Sequence, residues 1–255
     1  MSFLQNFKII NGKILDTPIY RVFSLDKFLI SLNQNSLHLV KPSLWDDPYE
    51  GFLLNQNFWS KKKKGLYYEF EDFYRERYFG QCWTFRNEAD FLWRIYAPNK
   101  DGIMVKSSIR RFYEKFNTMP DGNLYLGKVK YMSKEDIEKK FSKIKIEKNY
   151  EKLIIDSLLI KRKEFSEEKE IRLLFYSENF VPKQSAPIVL GYDKAKESLC
   201  DLLFEEVIVD PRIDKNRFNY LKKIIKDLGF NGIIKRSEMY DIPNLSIEIK
   251  ENNLI

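Results

Sequence analysis

Cysteine and histidine are almost missing from this chain. Its 255 residues hold two cysteines, Cys82 and Cys200, and one histidine, His38. Two cysteines exclude a disulfide framework, and with a single histidine they argue against a Cys/His zinc site. A Ser-His-Asp mechanism would have to rest on His38, which sits in SLHLV, a short strand pattern where a structural role accounts for it. Acid–base chemistry therefore falls to carboxylates. Long apolar runs are lacking too: none approaches the ~20 residues that cross a bilayer. The opening MSFLQNFKIINGK has no apolar segment followed by a small-residue cleavage site. The expectation is a cytoplasmic protein with no membrane partner. There is no internal repeat, no low-complexity tract and no Pro/Gly/Ser linker. No Gly-rich phosphate loop of the Walker or Rossmann kind appears, which excludes those nucleotide-binding fingerprints.

What is present is a globular composition, 44% hydrophobic and 15% aromatic, long enough to bury a sizeable core. Lysine and arginine exceed aspartate and glutamate by +7. That balance suits a polyanionic partner such as nucleic acid or a phosphate-bearing ligand, and equally a chain that is simply rich in lysine. The segment 55–79 mixes aromatics with a lysine run, Lys61 to Lys64. It reads either as a grip on single-stranded nucleic acid or as a solvated insertion whose aromatics pack on the domain.

Strands are expected at Ile19–Phe23, SLHLVKP, GQCWTF, Ile103–Lys106, YLGKVKY, EEVIVDP and NGIIKRSE. Helices are expected after Ser24, over ADFLWRIY, over KNRFNYLKKIIKDLGF, and as a long helical segment at 134–165 opened by Ser133 and Asp136. SLWDDPYEG is dense in turn formers, with Asp46 and Asp47 ahead of Pro48. Strands and helices mix without strict alternation. The prediction is a single α+β domain over 1–255, with a mixed, mostly antiparallel sheet core flanked by helices.

The stretch EEKEIRLLF, residues 167–175, alternates charge with apolar side chains: Glu168, Glu170 and Arg172 fall in one row, Ile171, Leu173 and Phe175 in the other. Period two predicts a strand. Its charged row suits a solvent-facing salt-bridge ladder or the floor of an active site. Arg21 is the one charge in an otherwise apolar and aromatic strand. Trp83 and Thr84, then Trp93 and Tyr96, add polar and aromatic groups in the middle of the chain.

These blocks carry a resemblance. YRVFSLDKFLISLNQNSLHLVKPSLWDDPYEG resembles the opening of the bacterial proteins grouped as domain of unknown function 2971, with Asp46 where Asn is usual and Tyr49 where Phe is usual. CWTFRNEADFLWRIYAPNKDGIMV is similar to that family's Cys-aromatic-Ser/Thr, Trp-x-x-Tyr and Gly-before-strand block. KRKEFSEEKEIRLLF resembles its Lys, aromatic, Glu-x-Glu-x-Arg block, and EEVIVDPRID its later strand, with Asp210 where Gly is more frequent. A more distant resemblance is to ADP-ribosyltransferases. These place an Arg or His on the first core strand, a Ser/Thr strand next and a Glu-x-Glu strand last. Arg21, Thr84 and Glu168-Lys169-Glu170 follow that order, although the family's Ser-Thr-Ser becomes Trp83-Thr84-Phe85.

The resemblance implies an ADP-ribosyltransferase-like fold and an enzyme that takes NAD as substrate to modify a macromolecule, nucleic acid or protein. It implies a toxin or anti-phage defence role, with an antitoxin or sensor partner. In that scheme Glu170 stabilises the oxocarbenium ion and binds the ribose hydroxyl. Glu168 orients or deprotonates the nucleophile. Arg21 holds a phosphate or ribose hydroxyl, and Arg172 clamps Glu170 or a phosphate. Thr84, Trp83, Trp93 and Tyr96 complete the NAD site, the aromatics by stacking on nicotinamide or adenine. Neither metal nor histidine is required. Two alternatives come from the residues themselves. One is a non-enzymatic nucleic-acid-binding protein using Lys61–Lys64 and the basic helix around Lys222, Lys223 and Lys226. The other is a metal-dependent nuclease using Asp46, Asp47, Glu50 and the Glu-x-Glu pair.

Overall fold

The structure, a computed structural model, describes residues 7–10, 15–55, 59–60, 65–66, 76–116, 122–142, 150–177, 188–191 and 198–248. The Lys61–Lys64 run lies outside them, as does most of the 55–79 segment. In chain order the elements are β1 (Phe7–Ile10), β2 (Pro18–Phe23), α1 (Leu25–Gln34), β3 (Ser36–Leu39), β4 (Trp59–Ser60), β5 (Gly65–Leu66), β6 (Tyr78–Thr84), α2 (Asp90–Tyr96) and β7 (Ile103–Ser108). There follow α3 (Ile109–Phe116), β8 (Asn123–Lys128), β9 (Lys130–Met132), α4 (Lys134–Phe141), α5 (Tyr150–Leu158), β10 (Ile160–Arg162), β11 (Glu170–Tyr176) and β12 (Ile188–Gly191). The last are α6 (Leu199–Leu203), β13 (Glu206–Val209), α7 (Lys215–Asp227) and β14 (Ile233–Arg236).

Eight strands make one mixed sheet in the order β1-β8-β11-β6-β2-β7-β13-β14. Its pairings are antiparallel except at the two edges, where β1 runs parallel to β8 and β14 parallel to β13. The expected α+β class and mostly antiparallel sheet are thus present. Most predicted elements fall where the periodicity put them. The long helical segment does not. It is divided into α4 and α5, then β10, then a 3-10 turn over Lys163–Glu168. The Ser133 start holds, with its hydroxyl accepting from the Asp136 amide at 3.2 Å.

One face of the sheet carries the main core. Ile19, Phe23, Phe79, Trp83, Val105, Leu126, Ile171, Leu173, Val207 and Val209 meet α1, α3, α6 and α7 there, through Phe28, Phe112, Leu203 and Ile225 among others. The opposite face has two smaller apolar clusters. Tyr20, Val22, Met104 and Ile208 pack under α2 through Leu92 and Trp93. Tyr78, Tyr125, Leu174 and Tyr176 pack under α5 through Ile154, Ile155 and Leu158. Between them runs a polar strip, and strand register explains it. Along the β6–β11 ladder the pairs on this face are Tyr78–Tyr176, Gly80–Leu174, Cys82–Arg172 and Thr84–Glu170. The face passes from aromatic to aliphatic to charged in four steps, because side chains two residues apart share a face.

The sheet is weakest in the middle. β2 and β6 are joined by a single register pair, Tyr20↔Thr84. Their neighbours pair at length, β11 with β6 over seven residue pairs and β2 with β7 over six. The two half-sheets therefore part beside Thr84, and the polar strip reaches that opening.

Candidate functional site

A narrow pocket of about 40 Å³ lies where β2 and β6 diverge. Tyr20, Arg21 and Val22 border it from β2, and Cys82, Trp83 and Thr84 from β6. Leu92 and Tyr96 border it from α2, and Glu168 and Glu170 close it. Arg21, Thr84, Tyr96, Glu168 and Glu170, which are far apart in sequence, are thus brought to one opening.

Arg21 Nη1 donates to the Cys82 carbonyl across the gap. Its Nε is buried and has no hydrogen-bond partner among the described residues. Burial lowers its pKa below the usual guanidinium value. Thr84 Oγ1 donates to the Glu168 carbonyl at 2.5 Å and accepts from the Arg86 amide at 3.0 Å. That pair of bonds fixes the turn carrying Glu168 against the end of β6. The turn itself departs from the expected strand. Glu168 ends the 3-10 turn, Lys169 takes a left-handed φ of 44°, and only at Glu170 does β11 begin. Period two still describes 170–176, but every residue there is buried, so the charged row is no solvent-facing ladder.

Beneath the pocket is a buried ion network. Lys161 Nζ lies 2.9 Å from Glu50 Oε1, 2.7 Å from Glu168 Oε2 and 3.4 Å from Glu170 Oε2. Arg172 grips Glu170 with a fork, Nε to Oε1 and Nη2 to Oε2, both at 3.0 Å. The same Nη2 lies 3.0 Å from Glu50 Oε1, and Nη1 donates to the Leu158 carbonyl at 2.6 Å. Such bidentate, charge-assisted contacts are the strong and directional kind. The Trp45 ring covers the Arg172 guanidinium at 4.4 Å. Gly80 makes that cover possible: a Cβ there would stand 2.6 Å from Trp45 Cζ2. The Glu170 amide donates to Tyr131 Oη at 2.7 Å. Parallel pairing of β10 with β9 sets Lys161 opposite Tyr131.

The network has more negative than positive charge, with Glu50, Glu168 and Glu170 around Lys161 and Arg172. The pKa directions follow from this. Burial opposes ionisation of Glu170, but Arg172, Lys161 and the Cys82 thiol overcome it and hold the carboxyl below the usual range. Glu168 goes the other way: burial outweighs Lys161 and raises its pKa. Two neighbouring carboxylates pushed apart in this manner mark a division of roles. Burial also pushes Tyr131 up to about 12, raises Tyr96 with help from Glu168, and raises the Cys82 thiol well above its ordinary value. Burial disfavours the charged forms of Lys161 and Arg172, yet their carboxylate partners raise both overall.

Three of the residues expected to touch NAD do not present their side chains to the pocket. Trp93 is 0% exposed, sits in the cluster under α2 and donates Nε1 to Glu88 at 3.1 Å. Trp83 borders the pocket, but its indole packs edge-on against Phe112 at 5.1 Å in the main core and donates to Gln81. Arg172 is 0% exposed, with its nitrogens engaged as above, so it clamps Glu170 rather than a ligand phosphate. Tyr96, 42% exposed, is the expected aromatic that stands at the opening.

Other residues were undervalued in the sequence. Lys161 is the centre of the network. Glu50 is 7% exposed and joins the network from the turn after Pro48. The turn's other acids do not follow it. Asp47 accepts from the Tyr49 amide at 3.0 Å and pairs with Arg162 at 3.0 Å, and Asp46 is exposed. Of the carboxylates that the nuclease alternative requires, Glu50, Glu168 and Glu170 are thus bridged by Lys161 and Arg172, Asp47 is held by Arg162, and Asp46 faces solvent. Among the described residues, no group of three or more His, Cys, Asp or Glu is arranged to hold a metal. Lys222, Lys223 and Lys226 lie on α7, which packs on the sheet face opposite the ion network.

The family model for the protein of unknown function DUF2971 matches residues 92–173. The resemblance thus holds over the Trp93-x-x-Tyr96, Gly102 and Glu168-x-Glu170-x-Arg172 blocks. No curated protein matches the chain. Similar solved structures include Thermus sp. 2.9 DarT in complex with NAD+, with 13% identity over 87% of this chain and 96% of that one and a TM-score of 0.39. Thermus sp. 2.9 DarT in complex with ADP-ribosylated ssDNA matches with 13% identity over 87% and 94% and a TM-score of 0.39. The same protein in complex with carba-NAD+ matches with 11% identity over 86% and 94% and a TM-score of 0.37.

Proposed function

We propose that the protein is an ADP-ribosyltransferase-like enzyme that takes NAD as substrate and transfers ADP-ribose to a macromolecular acceptor. The observation that carries this reading is the convergence of Arg21, Thr84, Glu168 and Glu170 on the opening between β2 and β6. These are the residues, in the order, that the sequence resemblance implies.

The chemistry suits their state. As the bond between nicotinamide and ribose breaks, its electron pair leaves with nicotinamide and positive charge builds on the ribose carbon. Glu170, kept ionised by Arg172 and Lys161, offers a preorganised negative charge for that carbon without needing to reorganise. The acceptor's nucleophile then bonds to the carbon, and its proton passes to Glu168, the carboxylate with the raised pKa. Arg21 is a half-buried cation whose buried Nε has no hydrogen-bond partner among the described residues, and it suits a phosphate or a ribose hydroxyl. At about 40 Å³ the pocket has room for water only, so entry of a nicotinamide ring requires its walls to move apart. A toxin or anti-phage effector role, restrained by an antitoxin or sensor partner, is the biology this reading carries.

The test is nicotinamide release from NAD by the wild-type protein and by Glu168→Gln. The reading expects release by the wild type and a loss of about 10²–10⁴-fold in the variant. Absence of release by the wild type, or equal release by both, would overturn it.

A further inference from the structure

Lys161 is 8% exposed and stands at the one point from which the network's three carboxylates are all within reach. It arrives there on the three-residue strand β10, whose register with β9 puts Tyr131 beside it. Its ammonium lies 4.8 Å from the Phe165 ring, which belongs to the same turn as Glu168. Glu170 has a second holder in Arg172. Glu168 has none: among the described residues its carboxylate is paired with Lys161 alone. We propose that Lys161 is the positioning residue of the site, holding the Glu168 carboxylate beside Glu170 at the opening and tying both to Glu50.

The inference rests on the ADP-ribosyltransferase reading for its catalytic consequence, but not for its electrostatic one. The groups facing Glu168 are Lys161, Glu170, Glu50, Tyr96 and Tyr131. Arg21 and Cys82 line the same pocket and Arg172 joins the network through Glu50 and Glu170, but Lys161 is the cation in direct contact with Glu168 among the described residues, so it is the main group favouring the ionised carboxylate. Without it, Glu168 would hold its proton to higher pH, because burial and two neighbouring carboxylates would act without the cation in contact with it. A base must be unprotonated to work. The acid limb of the rate would therefore move to higher pH.

Four variants test this: Lys161→Met, Lys161→Arg, Glu50→Gln, and Lys161→Met combined with Glu50→Gln. The double variant removes one charge of each sign, which keeps the network's balance and guards against simple unfolding. Two readouts are taken. The first is carboxyl NMR titration of Glu168 in the protein without NAD. The second is the pH dependence of nicotinamide release, with kcat and KM separated. The expected result is a Glu168 titration shifted up by about one unit or more in Lys161→Met relative to wild type, and in the double variant relative to Glu50→Gln, since an opposite charge within ~4–6 Å is worth that much. An acid limb shifted the same way, kcat lowered about tenfold or more at neutral pH with KM little changed, and partial rescue by Arg are expected with it. An unshifted Glu168 titration in folded Lys161→Met, or in the double variant measured against Glu50→Gln alone, would overturn the proposal. Failure of wild-type NAD turnover would instead overturn the proposed function, and the titration would still decide the role of Lys161.

Discussion

Glu168 and Glu170 are two residues apart and have opposite relations to stability. Glu170 is ionised more readily in the folded protein than in the open chain. It therefore stabilises the fold above the ordinary glutamate range and loses that contribution as the pH falls through its lowered value. Glu168 is ionised less readily in the folded protein. Its contribution is full below the ordinary range and is lost as the pH rises through its raised value. Glu170→Gln, which strips Arg172 of its buried partner, is expected to cost about 3–5 kcal/mol at neutral pH. Glu168→Gln is expected to be neutral or stabilising there, with the difference from wild type vanishing in acid. Urea unfolding across pH checks both signs. Residue identity in the sequence pointed to this pair and to Arg21, because a charge among apolar strand residues is conspicuous. It did not separate Tyr96 from Trp93. Both lie on α2, and only packing decides that Trp93 turns under the helix while Tyr96 meets the opening. Lys161 follows Leu158, Leu159 and Ile160, and a lysine ending an apolar run reads as a cap. That three carboxylates converge on it is a long-range fact that no local pattern contains.

At the scale of elements, two short features aim the site. The first is Lys169, whose left-handed backbone (φ 44°) lets the chain turn between Glu168 and the start of β11. Glycine occupies that region freely and β-branched residues do so at a cost. Lys169→Gly is expected to leave stability and NAD turnover nearly unchanged. Lys169→Val is expected to cost about 1–2 kcal/mol and to displace Glu168, measured by unfolding and by nicotinamide release. The second is Gly80, against which Trp45 lies. Gly80→Ala would set a Cβ 2.6 Å from Trp45 Cζ2 and 3.0 Å from Leu174 Cδ2. The expected cost is about 1–3 kcal/mol, with quenching or shift of tryptophan fluorescence as Trp45 leaves Arg172. Most strands and helices were legible because their apolar residues recur at period two or 3.6. The exception, 134–165, shows where that signal ends. Charged and apolar residues continue at near-helical spacing through Lys161, but pairing with β9 pulls 160–162 into a strand. Tertiary pairing outweighed local propensity there. The sequence of β11 reads equally as a strand with one wet face or as the floor of a site, since a buried ion network and a surface ladder show the same alternation.

On the scale of the whole molecule, the sheet is two well-paired halves joined at Tyr20↔Thr84. The register of β6 against β11 delivers charge to that seam, and the two apolar clusters on either side fix its walls. The α+β class was legible from the unordered mixture of strands and helices. The seam was not, since nothing in β2 or β6 alone says that they pair only once. A ligand that occupies the seam binds the folded protein and not the open chain, so at a hundredfold excess over its Kd it adds about 2.7 kcal/mol of stability. The central claim is that Arg21 and the two glutamates share a nucleotide pocket. Isothermal titration of NAD into the wild-type protein, beside Arg21→Ala shown to be folded by its melting curve, tests it most directly. The account predicts saturable binding by the wild type and its loss, or a weakening of about tenfold or more, in the variant. Equal binding by both would contradict the placement of Arg21, and no binding by the wild type would contradict the pocket itself.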